Sequence, residues 1–250
     1  MRDKIYITFK IFDPFEEIVC AFSTRLVVKG KEILASENKG YTGNYGSDAD
    51  LTKRAYFFDR LKISEDAIVY PAQIHSTNIK HVFIPGIVPN TDALITQTRG
   101  LFLSIQTADC FPLFLYAPKK NVVGIIHAGW RGAKGGIVSR TLHFMQRNIG
   151  ADLSDLHVAI GPGIQKECFE VQADVYEQFP EKYLIQHADS AKRYLDLCEF
   201  IKDELTTNNV PDHQIYLENE CTKCRNELYY SYRLEGQKSG RMLGIIGIRG

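Results

Sequence analysis

Three short runs, at 101–105, 112–116 and 122–126, are apolar at almost every position and lie close together in the middle of the chain. Runs of this length predict strands buried on both faces, because an exposed face would show polar residues at every second position. The last two runs are joined by Ala117-Pro118-Lys119-Lys120-Asn121, a turn-like link that predicts a hairpin. Further strands are predicted at 67–70, at 156–160 before Gly161-Pro162-Gly163, at 215–217 and at 242–248. Between them the period changes. Val138, Leu142, Met145 and Ile149 recur at helical spacing and stop at Gly150, and Tyr194, Leu197, Ile201 and Leu205 predict a second helix. Interleaved strand and helix signals predict a layered α/β/α fold with a mixed sheet. No repeat, low-complexity tract or linker interrupts residues 1–250, which read as a single domain. The stretch 29–50, rich in Gly, Ser and Asn, reads as a functional loop within it.

Composition narrows the function classes. Basic and acidic residues balance at 30 each, so no global field draws the chain to nucleic acid or an anionic membrane. No apolar run is long enough to span a bilayer, and the alternating Ile5, Ile7, Phe9 and Ile11 do not form the continuous core of a secretory signal. Six scattered cysteines then fit reduced thiols better than a disulfide framework, which points to the cytoplasm.

Candidate chemistry sits where the predicted strands end, the usual place for ligand sites in α/β sheets. Cys110 closes Thr107-Ala108-Asp109-Cys110, His127 opens His127-Ala128-Gly129-Trp130-Arg131-Gly132, and His75 lies in Gln73-Ile74-His75-Ser76 after the segment at 67–70. Two imidazoles and a thiolate suit Zn²⁺, and three protein ligands leave a fourth position open. The spacings of 35 and 17 residues match no short-range zinc pattern, however. A buried free cysteine is usually a small hydrophobe and a strand-end histidine usually a hydrogen-bonded one, so the residues themselves leave both readings open.

The motifs resemble those of the YfiH-like family, which carries both a polyphenol oxidase or laccase-domain label and a purine nucleoside phosphorylase label. The matching segments are Phe22-Ser23-Thr24-Arg25, Gln73-Ile74-His75-Ser76, Thr91-Asp92-Ala93-Leu94, Thr107-Ala108-Asp109-Cys110-Phe111-Pro112, His127-Ala128-Gly129-Trp130-Arg131-Gly132, Ile160-Gly161-Pro162-Gly163-Ile164 and Ser231-Tyr232-Arg233. They run in order over nearly the whole chain. The resemblance implies metal ligands at His75, Cys110 and His127, one zinc ion with copper as the lesser occupant, and phosphorolysis of adenosine, inosine and methylthioadenosine together with adenosine deamination. Departures occur at Gly43-Asn44-Tyr45-Gly46, where Asn-Leu-Gly is expected, at Lys53-Arg54 for Asn-Arg, and at Ser239-Gly240-Arg241 for Thr-Gly-Arg.

That chemistry assigns further roles. Phosphorolysis needs cations facing a phosphate dianion and an oxocarbenium-like sugar, for which Arg131, Arg233 and Arg241 are the candidates; each reads equally as a structural ion-pair residue. Asp109 is expected either to act as acid or base or to orient a ligand or cap a turn. Gln73 is grouped with Arg131 and Arg233 as substrate-binding, and Arg241 with Asp109 as catalytic. Trp130 walls the pocket or fills the core, and core is the stronger expectation. Gly161-Pro162-Gly163 offers backbone N–H groups to an anion, but such a triplet mostly marks an ordinary turn. Cys221-Thr222-Lys223-Cys224 is a Cys-x-x-Cys without a second pair, at best half of a structural zinc site. The partners expected are a small-molecule nucleoside and phosphate, with no nucleic acid and no membrane. Seven histidines without a His-x-His pair poorly supply a multicopper oxidase. Two other readings compete: a metal-free cysteine hydrolase with Cys110 as nucleophile and His127 as base, and a module that binds or edits a nucleotide-linked envelope precursor.

Overall fold

Phe111–Ala117 and Val122–Ala128 are buried along their whole lengths and pair antiparallel from Phe111 opposite Ala128 to Ala117 opposite Val122, the expected hairpin. They form the centre of a six-stranded mixed sheet. Its order is Ile215–Leu217, His157–Ile160, Phe111–Ala117, Val122–Ala128, Ala93–Thr96 and Ile79–His81. A second mixed sheet runs Tyr6–Ile7, Ile18–Ser23, Met242–Ile248, Phe102–Thr107, Ile68–Pro71 and Gly86–Val88. The computed structural model describes residues 5–29, 32–35, 51–186 and 192–250.

Strand alternation explains how these apolar runs are buried on both faces. Phe114 and Tyr116 point toward the other sheet and pack with Phe22, Leu103, Ile105 and Ile246, while Phe111, Leu113 and Leu115 point outward onto a helical layer holding Val138, Leu142, Ile201 and Leu205. The outer face of the second sheet, including Ala21, Ile68 and Ile245, is covered by Phe57, Phe58 and Leu61 of the helix Leu51–Leu61. The mixed α/β architecture is therefore as expected, with the β layer doubled: helix, sheet, sheet, helix.

Two local expectations change. Leu26–Lys29 pairs antiparallel with Glu32–Ala35, so the stretch read as a loop from residue 29 begins inside a two-stranded ribbon. Its remainder, with Gly43-Asn44-Tyr45-Gly46, lies outside the described residues. The second helix runs over Leu197–Thr207 and excludes Tyr194, which sits in the strand Arg193–Leu195 opposite Glu170 and Ile185. Asp196 sets that boundary, because its carboxylate accepts the N–H of Glu199 as an N-cap. No helix among the described residues is long and apolar enough to cross a membrane.

Where this helix packs on Ile137–Phe144, Glu204 Oε1 accepts a hydrogen bond from Ser139 Oγ at 2.9 Å, while Oε2 is buried without a partner. Burial pushes its carboxyl up to about 7 despite that bond. A folded-state value above the unfolded one means that stability falls as pH rises from about 4.5 toward 7 and stays reduced above it. Glu204→Gln is expected to remove this slope and to raise stability at pH 8 by about 1–2 kcal/mol, allowing for partial solvent screening, with little gain near pH 4. Urea unfolding across that pH range measures it.

Candidate active site

The two sheets meet at one end of the molecule through short connections. Phe102–Thr107 ends there and Phe111–Ala117 begins, so residues 108–110 carry the chain from one sheet to the other with Cys110 on the crossing. Val122–Ala128 and Ile68–Pro71 end at the same place, which brings His127 and the loop of His75 beside it. The ligand atoms of His75, Cys110 and His127 all lie within 4.8 Å of one another. The two imidazole rings stand 4.8 Å apart at 73°. His75 is exposed, Cys110 half-buried and His127 buried.

Close approach depends on Gly129, where an added Cβ would stand 2.9 Å from Cys110 Sγ and 3.1 Å from the His75 ring. Two non-glycine residues at the site, His75 at φ 59° and Asp109 at φ 88°, hold left-handed backbone conformations. Such conformations cost of order 1–3 kcal/mol each and persist only where the surroundings impose them. The hydrogen bonds identify what imposes them.

At His75 it is Asp92, a residue that sequence reasoning passed over within Thr91-Asp92-Ala93-Leu94. Its fully buried carboxylate accepts from the N–H groups of Ile74, His75 and Ser76, from Ser76 Oγ at 2.7 Å and from His127 Nδ1 at 2.8 Å. Its carbonyl also accepts the N–H of His127 at 2.8 Å. One side chain thus shapes the His75 loop and fixes the His127 tautomer, leaving Nε2 as the free donor atom. Burial works to raise the Asp92 carboxyl, but the bonds from His127 and Ser76 outweigh it and hold the group down at about 2. The only sequence-level signal was a carboxylate between a turn residue and a buried strand.

Asp109 is held in the same way. Oδ1 accepts from Thr222 Oγ1 at 2.7 Å, Oδ2 from the N–H of Arg233 at 2.6 Å, and the carbonyl from the N–H of Ile164 at 2.8 Å. This carboxylate joins the Cys110 crossing to two loops. Gln73 is similarly engaged: Nε2 donates to the Gln106 carbonyl at 2.9 Å and Oε1 accepts the Gln106 N–H at 2.8 Å, pinning the His75 loop to a strand.

Cys110 and His127 shift one another in opposite directions. Burial opposes a Cys110 thiolate, but the charge of His127 and hydrogen bonds from His127 and His75 prevail and bring the thiol down to about 6. Burial likewise opposes charge on His127, and the Cys110 thiolate and Asp92 overcome it and push the imidazole up.

The three centres open on a cleft of about 930 Å³ whose wall also includes Gln73, Asp109, Arg131, Arg233 and Arg241. The candidate metal ligands and the candidate catalytic and substrate-binding residues therefore all line one cavity, of a size usual for small-molecule sites, whereas Gly161-Pro162-Gly163 and Cys221–Cys224 do not. None of the three guanidinium groups pairs with a carboxylate among the described residues. Arg131 stacks over Trp130 at 4.2 Å, Arg233 over Phe169 at 5.3 Å while donating to the Glu170 carbonyl, and Arg241 over Tyr232 at 5.6 Å while donating to the carbonyls of Ser239 and Gly240. Trp130 is half-buried, touching both the core and the cleft.

Comparison with known proteins places the chain in a family. The profile of the family described as multi-copper polyphenol oxidoreductase laccase matches residues 19–249. A purine nucleoside phosphorylase, YlmD, of Geobacillus stearothermophilus is 32% identical over 94% of this chain and 92% of its own length. An adenosine deaminase, RL5, from an unknown prokaryotic organism is 30% identical over 90% of this chain and 92% of its own. The crystal structure of YlmD from Geobacillus stearothermophilus superposes with a TM-score of 0.85 at 31% identity, over 95% of this chain and 94% of that one. The chain belongs to this laccase-like, YfiH-type family. The donor sets do not fit a multicopper centre: among the described residues only His75, Cys110 and His127 form a metal-capable cluster containing histidine.

Proposed function

We propose that the chain is a zinc-dependent purine nucleoside phosphorylase that also deaminates adenosine, working in the cytoplasm where its six free cysteines stay reduced. The observation that carries this reading is the convergence of two imidazoles and a thiol on a cleft that also presents three arginines without carboxylate partners. The donor set suits one Zn²⁺, which His75, Cys110 and His127 would hold. A zinc ion held there would supply Lewis acidity at neutral pH.

The chain's own residues do the rest. Arg131, Arg233 and Arg241 bind a phosphate dianion and hold its charge where positive charge develops on the sugar. The aromatic faces of Trp130, Phe169 and Tyr232 give the cleft apolar walls suited to a purine base. Asp109 and Gln73, with their polar atoms already engaged, act as positioning residues. The names of the similar proteins, purine nucleoside phosphorylase and adenosine deaminase, support the same pair of reactions; adenosine, inosine and methylthioadenosine are the substrates we propose.

The test is to incubate metal-replete protein with adenosine, with and without phosphate, and to separate the products. Adenine and ribose 1-phosphate are expected when phosphate is present, and inosine in its absence. No turnover by folded, metal-replete protein overturns the proposal and favours a binding module. A second reading has one observation in its favour: the lowered Cys110 thiol beside the charged His127 is also the arrangement of a cysteine nucleophile and its base. Full activity in strong chelator, with Cys110 covalently trapped by substrate, selects that reading.

A further inference from the structure

Cys221-Thr222-Lys223-Cys224 has no second Cys-x-x-Cys pair in the sequence, yet the fold supplies a third thiol. The parallel strands His157–Ile160 and Ile215–Leu217 both run toward the cleft end, and the chain segments beyond them stay in register. The N–H of Glu218 donates to the Ile160 carbonyl, Gly163 bridges to Cys221, and the N–H of Thr222 donates to the Gly163 carbonyl. Beyond Gly163 a tight turn, in which the N–H of Cys168 donates to the Gln165 carbonyl at 2.9 Å, returns Cys168 to the Cys221–Cys224 turn. The sulfurs of Cys168, Cys221 and Cys224 lie within 4.8 Å of one another, with Cys168 and Cys224 at 3.3 Å.

We propose that Cys168, Cys221 and Cys224 form a second metal site, a structural Zn²⁺ site separate from the cleft, with a solvent molecule completing the tetrahedron. Thiolates sharing one tetrahedral zinc at roughly 2.3 Å stand about 3.8 Å apart, a separation that three sulfurs already gathered within 4.8 Å, two of them 3.3 Å apart, reach by small side-chain adjustments. A disulfide would engage two sulfurs and leave the third without purpose, whereas a zinc ion uses all three. The Gln165 N–H points at Cys221 Sγ at 3.5 Å, the kind of backbone N–H···S contact that stabilises a thiolate ligand. Cys221 is buried at the base of the cluster and Cys224 is exposed at its mouth, so an ion has both a closed floor and a path of entry.

The position gives the site a purpose. Thr222, between the two turn cysteines, is fully buried and donates to Asp109, which neighbours Cys110. Phe169, next to Cys168, lines the cleft. A zinc ion tying residue 168 to the 221–224 turn therefore holds two walls of the cleft in place through side chains that never touch it. Binding releases the three thiol protons to solvent and needs no oxidant.

The test keeps the two metal sites apart. The full chain carrying Cys110→Ala, which disables the cleft site, is reduced, stripped and reconstituted anaerobically with Zn²⁺ or Co²⁺. The expected result is about one bound equivalent, an intense thiolate-to-cobalt charge-transfer band and a raised thermal midpoint on adding metal. Adding Cys168→Ser or the exposed Cys224→Ser should abolish the band and the midpoint shift while circular dichroism stays unchanged. Metal-free protein that remains folded with three free thiols in excess Zn²⁺ overturns the proposal. So does metal bound without the charge-transfer band, or a Cys168–Cys224 disulfide that persists under these reducing conditions. Because the readout is stoichiometry and spectrum, it stands or falls apart from the adenosine assay.

Discussion

Replacing Asp92 is expected to cause the largest loss of folding stability of any substitution at the site. Its carboxylate is fully buried and is the common acceptor for the loop of His75 and for His127 Nδ1. Asp92→Ala leaves several buried donors without a partner and removes the counter-charge of His127, a combination that costs about 3–5 kcal/mol when one member of a buried pair is deleted. Asp92→Asn keeps the volume but loses acceptors and the charge, and should weaken zinc retention at the cleft by about 10–100-fold, the range seen for outer partners of metal-bound histidines. Denaturant unfolding measures the first and chelator competition the second.

The pH dependence of stability gives an independent check. The Asp92 carboxyl lies lower in the folded chain than its ordinary 3.8, so its contribution is complete above about pH 4 and is lost as pH falls toward about 2. Wild-type protein should therefore lose stability steeply in that window, and Asp92→Asn should lose less. Equal slopes would show that the carboxylate is not the hub described here.

Cys110→Ala is expected to abolish both metal retention in the cleft and turnover of adenosine, while the protein stays folded. The thiol is half-buried on a connection between sheets, so truncation removes little packing but takes away the only thiolate donor of the trio. The loss of zinc should exceed that for Asp92→Asn, because a ligand rather than its support is removed. The same thiol offers a second measurement. In stripped protein, alkylation of Cys110 should follow a titration near pH 6, well below the ordinary thiol value, and bound zinc should suppress it. Alkylation that is indifferent to zinc would sink the ligand role and leave the nucleophile.

These outcomes depend on side chains that were visible in the sequence to very different degrees. The buried hairpin of Phe111–Ala117 and Val122–Ala128, the helix over Val138 and Leu142, and the final strand Met242–Ile248 were legible because each is a local pattern: period two, period 3.6 or a continuous apolar run. The doubling of the β layer was not, since an apolar run buried on both faces reads the same whether helices or a second sheet cover it. Tyr194 matched the helical spacing by coincidence, and a capping carboxylate two residues later settled the boundary.

Residue type and strand-end position alone left the metal reading of His75, Cys110 and His127 open, and it was the ordered motifs, through the family they resemble, that nominated this trio and the three arginines. What the tertiary structure alone decided was convergence and engagement. It brought three distant donors within 4.8 Å, made Asp92 the shared acceptor, tied Asp109 and Gln73 into hydrogen bonds, and carried Cys168 to the Cys221–Cys224 turn. The reason is physical: hydrogen bonds and metal-ligand distances depend on separation in space, and a crossing between two packed sheets erases the sequence distance from which they would have to be read.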